Sequence, residues 1–215
     1  VIIRSFGGME NELTAPFPIL GIAAWSGTGK TTLLEKLLPR LGEHGLSVAV
    51  IKHAHHSFDV DQPGKDSYKL RSAGAAPILV ASRQRFALMQ ETPDQEEPDL
   101  AQLIAMMLPH DPDLVIVEGF KAWPIPKLVL YRDGIGDAAI LTGRWVEAVA
   151  LSAPPPIDLA ASVAQLDLDD NEAIAQWVVT WLSAKNDTMS SKCMSSKCMS
   201  SKCMSSKRMS SKQQW

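Results

Sequence analysis

Gly27, Gly29, Lys30 and Thr31 stand together in the run Ser26-Gly27-Thr28-Gly29-Lys30-Thr31-Thr32. Two glycines within three residues let the backbone curl until successive N–H groups point inward. A helix opening just beyond adds its partial positive charge, so the turn makes a cup for an anion. In that cup Lys30 reaches the β- and γ-phosphates of a nucleotide, and the Thr31 hydroxyl takes one position on a phosphate-bound Mg²⁺. The candidate nucleotide residues are therefore Ser26, Gly27, Thr28, Gly29, Lys30, Thr31 and Thr32. The usual first glycine of G-x-x-x-x-G-K-[ST] is replaced by Ala24, a small departure.

A second chemical stretch is DLVIVEGF, residues 113–120, where four apolar residues of a buried strand end in Glu118. A carboxylate there holds Mg²⁺ through water or orients an attacking water, so Glu118 is the candidate catalytic and metal residue beside Thr31. Lys121 follows closely, free to pair with Glu118 or to face an anionic ligand. The segment after residue 46 supplies a third set: Lys52, His53, His55 and His56, then Asp59 and Asp61 before a Pro-Gly turn. Asp59 and Asp61 read either as ordinary turn residues or as part of a segment that senses the γ-phosphate and its metal. Asp133, at the tip of a later strand, is a candidate to accept from guanine N1 and N2, although the N/T-K-x-D pattern is absent.

The elements that position these residues follow from periodicity. Ile19, Leu20, Ile22, Ala23 and Ala24 suit a buried parallel strand, and Leu33, Leu34, Leu37, Leu38 and Leu41 recur at helical spacing. The helix is expected to kink or end near Leu38, because Pro39 lies too deep for an N1 proline. Further strands are expected over 46–52, 113–120, 127–131 and 147–151, with a last short one at VAQLDL. PILVA and RFALM, separated by SRQ, read as an antiparallel hairpin. Asp66 is expected to cap a short helix ending before Gly74. Leu100, Leu103, Ile104 and Met107 mark another helix with Pro98 near its start. A final helix, capped by Asp169 or Asp170, puts Ile174, Trp177, Val178, Trp181 and Leu182 on one face. The fold class is α/β: a mostly parallel sheet flanked by helices, with an inserted antiparallel hairpin.

Composition bounds the rest. The 215 residues end in a five-residue repeat, MSSKC and its variants, that has too little apolar surface to order itself. Six of the 21 basic residues lie in that repeat. Without it, 15 basic residues face 24 acidic ones, a net charge of −9. An acidic body argues against general nucleic-acid binding. Cys193, Cys198 and Cys203 are all in the repeat, so the remainder is cysteine-free, as expected in the cytoplasm. No stretch approaches the ~18 apolar residues of a membrane span, and the opening residues lack signal-peptide anatomy. The expected division is a flexible arm over 1–17, a nucleotide-binding domain over 18–187 and a disordered tail over 188–215.

The runs AAWSGTGKTTLLEKLLP, IKHAHHSFDVDQPGKDSYKLRSAGA, VAS-x-x-R-x-ALM-x-ETP and DLVIVEGFK together resemble the molybdopterin-guanine dinucleotide biosynthesis protein B family. The resemblance spans about Ile19 to Leu182. It implies a P-loop NTPase-like, GTP-binding homodimer that acts as an adapter, assisting a molybdenum cofactor guanylyltransferase as it attaches GMP to molybdopterin. It implies slow GTP hydrolysis at most. Carried onto this chain, Ser26–Thr32 and Glu118 match the nucleotide site. Lys52, His53, His55, His56, Lys65 and Asp66 fall in the distinctive segment expected to meet molybdopterin or the transferase. Two other readings use the same loop: an ATP-dependent small-molecule kinase, and a metallochaperone supported by the histidines alone.

Overall fold

The computed structural model describes residues 2–4, 12–54, 58–93, 95 and 97–195. Its strands are β1 (Ile2–Arg4), β2 (Glu12–Thr14), β3 (Ile19–Ala24), β4 (Val48–Lys52), β5 (Ile78–Ala81), β6 (Phe86–Met89), β7 (Leu114–Glu118), β8 (Lys127–Tyr131), β9 (Val146–Leu151) and β10 (Ala164–Asp167). The helices are α1 (Lys30–Glu43), α2 (Asp66–Ser72), α3 (Leu100–Ala105) and α4 (Asn171–Ser195), with 3₁₀ turns at Leu108–His110 and Ala138–Thr142. Six strands form one wholly parallel sheet in the order β10-β9-β8-β3-β7-β4. β1 and β2 pair with each other, as do β5 and β6, both antiparallel.

The central strands are apolar without alternation because both faces of the sheet are covered. Leu20, Ile22 and Ala24 of β3 point toward α1 and α4, where Leu34, Leu37, Leu41, Ile174, Val178 and Trp181 complete one core. Ile19 points to the opposite face, which α3 covers with Leu100 and Ile104. Ala23, Val129, Tyr131 and Val149 pack there on Leu141. Ala15 and Phe17, which the sequence reading puts inside a flexible arm over 1–17, are instead buried in the α3-side core.

Two expectations about helices are corrected. α1 does not stop near Leu38 but runs through Pro39 to Glu43. Pro39 lies on the exposed side, where water can serve the carbonyl its ring leaves unpaired, while Leu37 and Leu41 hold the helix down on either side. Gly45 then closes the end in a left-handed conformation, with Leu46 N–H donating to the Leu41 carbonyl at 3.1 Å. In α2 the cap position belongs to Lys65, whose side chain makes no cap bond, and Asp66 is the first helical residue. The carboxylate that serves this turn is Asp61, accepting from Gln62 N–H and the Ser67 hydroxyl. Asp170 caps α4 as expected, accepting from the N–H groups of Glu172 and Ala173. Asp99 does the same for α3, with Pro98 just before it. The helical backbone of α4 continues to Ser195, past residue 187 and into the repeat. No described helix is long and apolar enough to cross a membrane.

Candidate functional site

The fully buried β3 ends at Ala24, and the chain turns through Trp25–Thr28 into α1. Gly27 (φ 82°) and Gly29 (φ 107°) adopt left-handed backbone, and a Cβ on either would meet open space. Their requirement is conformational, not steric. Gly29 starts α1 by accepting from Leu33 N–H at 2.9 Å. Nothing caps this helix from the side: Gly29 has no side chain, and the first turn carries no acidic residue. Its N-terminal N–H groups and partial charge are left for a ligand. Ser26, Thr31 and Thr32 are exposed around this opening. Thr28 is buried, and its hydroxyl has no partner among the described residues. The Lys30 ammonium lies back on the loop, 3.4 Å from the Ala24 carbonyl and 3.5 Å from that of Trp25. An anion in the cup has only these long contacts to displace.

β7 lies next to β3, with Ile22 opposite Glu118, and β4 lies next to β7, with Lys52 opposite Glu118. Register thus brings Glu118 to the same sheet edge as the loop, only 8% exposed. Its carboxylate faces the Lys52 ammonium at 3.8 Å. The sequence groups Lys52 with the histidines; the structure makes it the ion partner of Glu118. Lys121 instead sits over the Trp25 ring, 4.4 Å from its centroid. Gly119 (φ 101°) lets the chain pass tightly over His53, whose Cβ would stand 2.8 Å from a side chain added there.

The segment after β4 divides. His53 donates its backbone N–H to the Glu118 carbonyl at 2.9 Å, stacks at 4.9 Å on Phe120 and approaches Glu97 at 3.3 Å. His55 and His56 lie outside the described residues. Asp59 and Asp61 both face Arg71, at 2.5 and 3.7 Å, and Arg71 also binds Glu91 at 2.8 Å. The Asp61 N–H, and then Arg71, hold the Asp59 carboxyl below its ordinary value; Glu91 first and Asp59 second raise that of Arg71. Among the described residues no three His, Cys, Asp or Glu side chains gather closely enough to hold a metal ion, so Asp59 and Asp61 do not join Glu118 in one ligand set. Lys65 is exposed, and Asp66 is engaged with Lys69 at 3.7 Å.

On the other side of the loop a cleft opens between Gly27–Gly29, Thr32 and Lys36 on one wall and Arg132, Leu168, Asp169 and Asn171 on the other. Arg132 and Asp169 pair with each other along that second wall at 3.6 Å. Asp133 is exposed at the tip of β8, its N–H donating to the Ser152 hydroxyl at 3.1 Å, and it does not line this cleft. Sequence reasoning missed Lys36, Arg132, Asp169 and Asn171. The available signal was topological: in a parallel sheet the residues following β8 and β10 share the carboxyl edge with the loop.

Comparison with known proteins agrees with this geometry. The family model described as "Molybdopterin guanine dinucleotide synthesis protein B", MobB, matches residues 19–152. The "Molybdopterin-guanine dinucleotide biosynthesis adapter protein" of Escherichia coli (strain K12) is 53% identical over 171 residues, 79% of this chain and 95% of that protein. The protein of the same name from Haemophilus influenzae is 43% identical over 175 residues, 81% of this chain and 92% of its own. Among solved structures, the crystal structure of a molybdopterin-guanine biosynthesis protein B aligns with a TM-score of 0.59 and 30% identity, covering 76% of this chain and 98% of the other. The MobB homologue from Bacillus stearothermophilus aligns with a TM-score of 0.61 at 24% identity, covering 77% and 98%, a likeness of fold. With the family's domain running from the first residue of β3 to just beyond β9, and relatives matched over most of its length, this chain belongs to the MobB family.

Proposed function

We propose that this chain is a GTP-binding adapter in molybdenum cofactor biosynthesis, assisting a guanylyltransferase that attaches GMP to molybdopterin. The observation that carries the reading is the uncapped start of α1, open beside Glu118, in a chain whose relatives are named adapters of this pathway. The loop residues Ser26–Thr32 hold the nucleotide phosphates. When Mg²⁺ is bound it neutralises charge on the β- and γ-phosphates, and the residues fitted to hold it are Thr31, exposed at the first turn, and the edge carboxylate Glu118. Glu118 is already engaged by Lys52, which suits a site that binds more readily than it hydrolyses.

The base belongs in the cleft beyond Thr32 and Lys36. Asp169 lines that cleft, so it takes the role of the carboxylate that reads guanine N1 and N2, in place of the exposed Asp133 outside it. The segment from Lys52 to Asp66, with His53 and Lys65, meets molybdopterin or the transferase. The homodimer forms through the β5–β6 hairpin. On that hairpin Leu79 stands opposite Leu88 and Ala81 opposite Phe86, which places all four on one face. Leu79 is 61% exposed, Leu88 45% and Phe86 66%, an apolar surface suited to a second copy. The cysteine-free body supports work in the cytoplasm. The division into an arm over 1–17 whose last residues pack on the domain, a GTP-binding domain over 18–187 and a tail over 188–215 that starts within α4 and takes no part in the site completes the proposal.

Calorimetric titration with GTP and ATP, with and without Mg²⁺, tests it, using the full chain and one ending at residue 187. Mg²⁺-dependent preference for GTP, equal in both chains, is expected. Equal or tighter ATP binding would overturn the guanine reading, and loss of binding on removing the tail would overturn the domain division.

A further inference from the structure

Two ammonium groups stand at this loop, and the phosphate-binding motif accounts for only one. Lys121 lies three residues beyond Glu118, in the turn that follows β7. No carboxylate of the described residues pairs with it; its partner is the face of Trp25, a residue of the phosphate loop itself. Burial first, and the Lys30 ammonium second, hold Lys121 below the ordinary lysine value. Two like charges thus stand close enough at the loop to act on each other.

The platform under Lys121 is fixed. Trp25 donates its indole N–H to the Asp137 carbonyl at 2.9 Å. Gly136 lies so close beneath the ring that a Cβ there would stand 2.2 Å from it. The turn carrying Lys121 is tied down as well, since the Lys127 ammonium donates to the carbonyls of Trp123, at 2.5 Å, and Ile125, at 3.1 Å. Backbone on both sides is held, and Lys121 alone is exposed and long enough to swing. A cation on an exposed aromatic face gains less than a charge-assisted hydrogen bond to phosphate does. A phosphate arriving beside Lys30 draws Lys121 off the ring.

We propose that Lys121 is a second phosphate-facing cation of this site, parked on Trp25 until the γ-phosphate of a nucleoside triphosphate arrives, and that it makes the site favour triphosphate over diphosphate. The proposal rests on the GTP-binding reading and deepens it. Lys30 serves both nucleotides, because its reach includes the β-phosphate; Lys121 serves only the one that carries the γ-phosphate.

The test is calorimetric titration of the full chain with GTP and with GDP, both with Mg²⁺, for the wild type, Lys121→Met and Lys121→Arg. Lys121→Met is expected to weaken GTP about tenfold or more, the loss of one charged hydrogen bond, while GDP affinity stays within about twofold. Lys121→Arg is expected to restore most of the GTP affinity. Thermal unfolding of each variant separates a binding effect from a folding one, and an exposed side chain should leave the transition unmoved. Equal loss for GTP and GDP, or no loss for either, would overturn the role of Lys121 while leaving the nucleotide site intact. A wild-type chain that binds neither nucleotide would overturn both readings.

Discussion

Lys30→Ala separates what the loop lysine does for the ligand from what it does for the fold. Among the described residues the Lys30 ammonium donates to the carbonyls of Ala24 and Trp25 alone, at 3.4 and 3.5 Å. Both lie at the far limit of hydrogen-bond distance, so their loss costs the fold less than about 0.5 kcal/mol. For a domain of this size that is a shift of about 1–2 °C in Tm. Removing the charge also relieves its repulsion of Lys121, which acts in the opposite direction. On the proposed reading the same ammonium would meet the β- and γ-phosphates through two charge-assisted hydrogen bonds of about 1.5–3 kcal/mol each. Losing both weakens GTP by about 3 kcal/mol or more, a factor of at least about a hundred. Calorimetry on the purified variant, with a thermal melt beside it, reads both quantities. GTP affinity within about fivefold of wild type, or a melting point lowered by about 8 °C, would each refute the reasoning: the first by removing the ligand contact, the second by making Lys30 structural.

Glu118→Gln should leave stability nearly unchanged, because its partner Lys52 is 60% exposed and such pairs contribute less than about 1 kcal/mol. The advantage that Mg²⁺ gives to GTP binding should shrink; an equal loss without Mg²⁺ would mean a structural role. Lys127 is buried, and desolvation lowers its pKa to about 8. The unfolded chain therefore binds more protons than the folded one between about pH 8 and the ordinary lysine value, and the Lys127 contribution to stability rises with pH across that window. Denaturant titrations at pH 7.5 and 10.5 should show the wild type gaining on Lys127→Met, by less than about 3 kcal/mol because two carbonyls already stabilise the ammonium. A difference that is flat with pH would refute it. Leu79→Asp combined with Leu88→Asp puts two like charges opposite each other on the exposed hairpin face and should convert a dimer to a monomer in sedimentation equilibrium. A dimer that persists would move the interface elsewhere.

The parts of this site that were legible in the sequence are those whose signal is local. Val115, Ile116 and Val117 are all buried, because a parallel strand covered on both faces has no side to leave polar. Such a run is visible one residue at a time, and so is the carboxylate that ends it. The glycines of the loop are likewise local, since Gly27 and Gly29 answer to their own φ angles and not to crowding at the Cβ position. The hairpin was legible because PILVA and RFALM are nearly adjacent in sequence and pair with each other. Pro39, read as a kink or an end, does not end α1 because tertiary packing of Leu37 and Leu41 outweighs one missing hydrogen bond.

The rest depends on register between distant strands, which no local pattern carries. Lys52 meets Glu118 only because β4 and β7 pair in parallel with those two residues opposite each other. A slip of one residue would turn Lys52 to the other face and leave a buried carboxylate alone beside the loop. Asp169 meets Arg132 only because β10 is the third strand over from β3, so that both sides of the cleft arrive at the same edge. Lys121 shows the same dependence at shorter range: nothing in Glu118-Gly119-Phe120-Lys121 says that the lysine turns away from Glu118 and toward Trp25. Glu118 turns to Lys52 instead, and the pairing of β3 with β7 sets Trp25 within reach. One register thus decides two cation assignments. It gives the carboxylate a lysine from the far side of β7, and it leaves Lys121, unpaired by any carboxylate of the described residues, on the Trp25 ring of the phosphate loop.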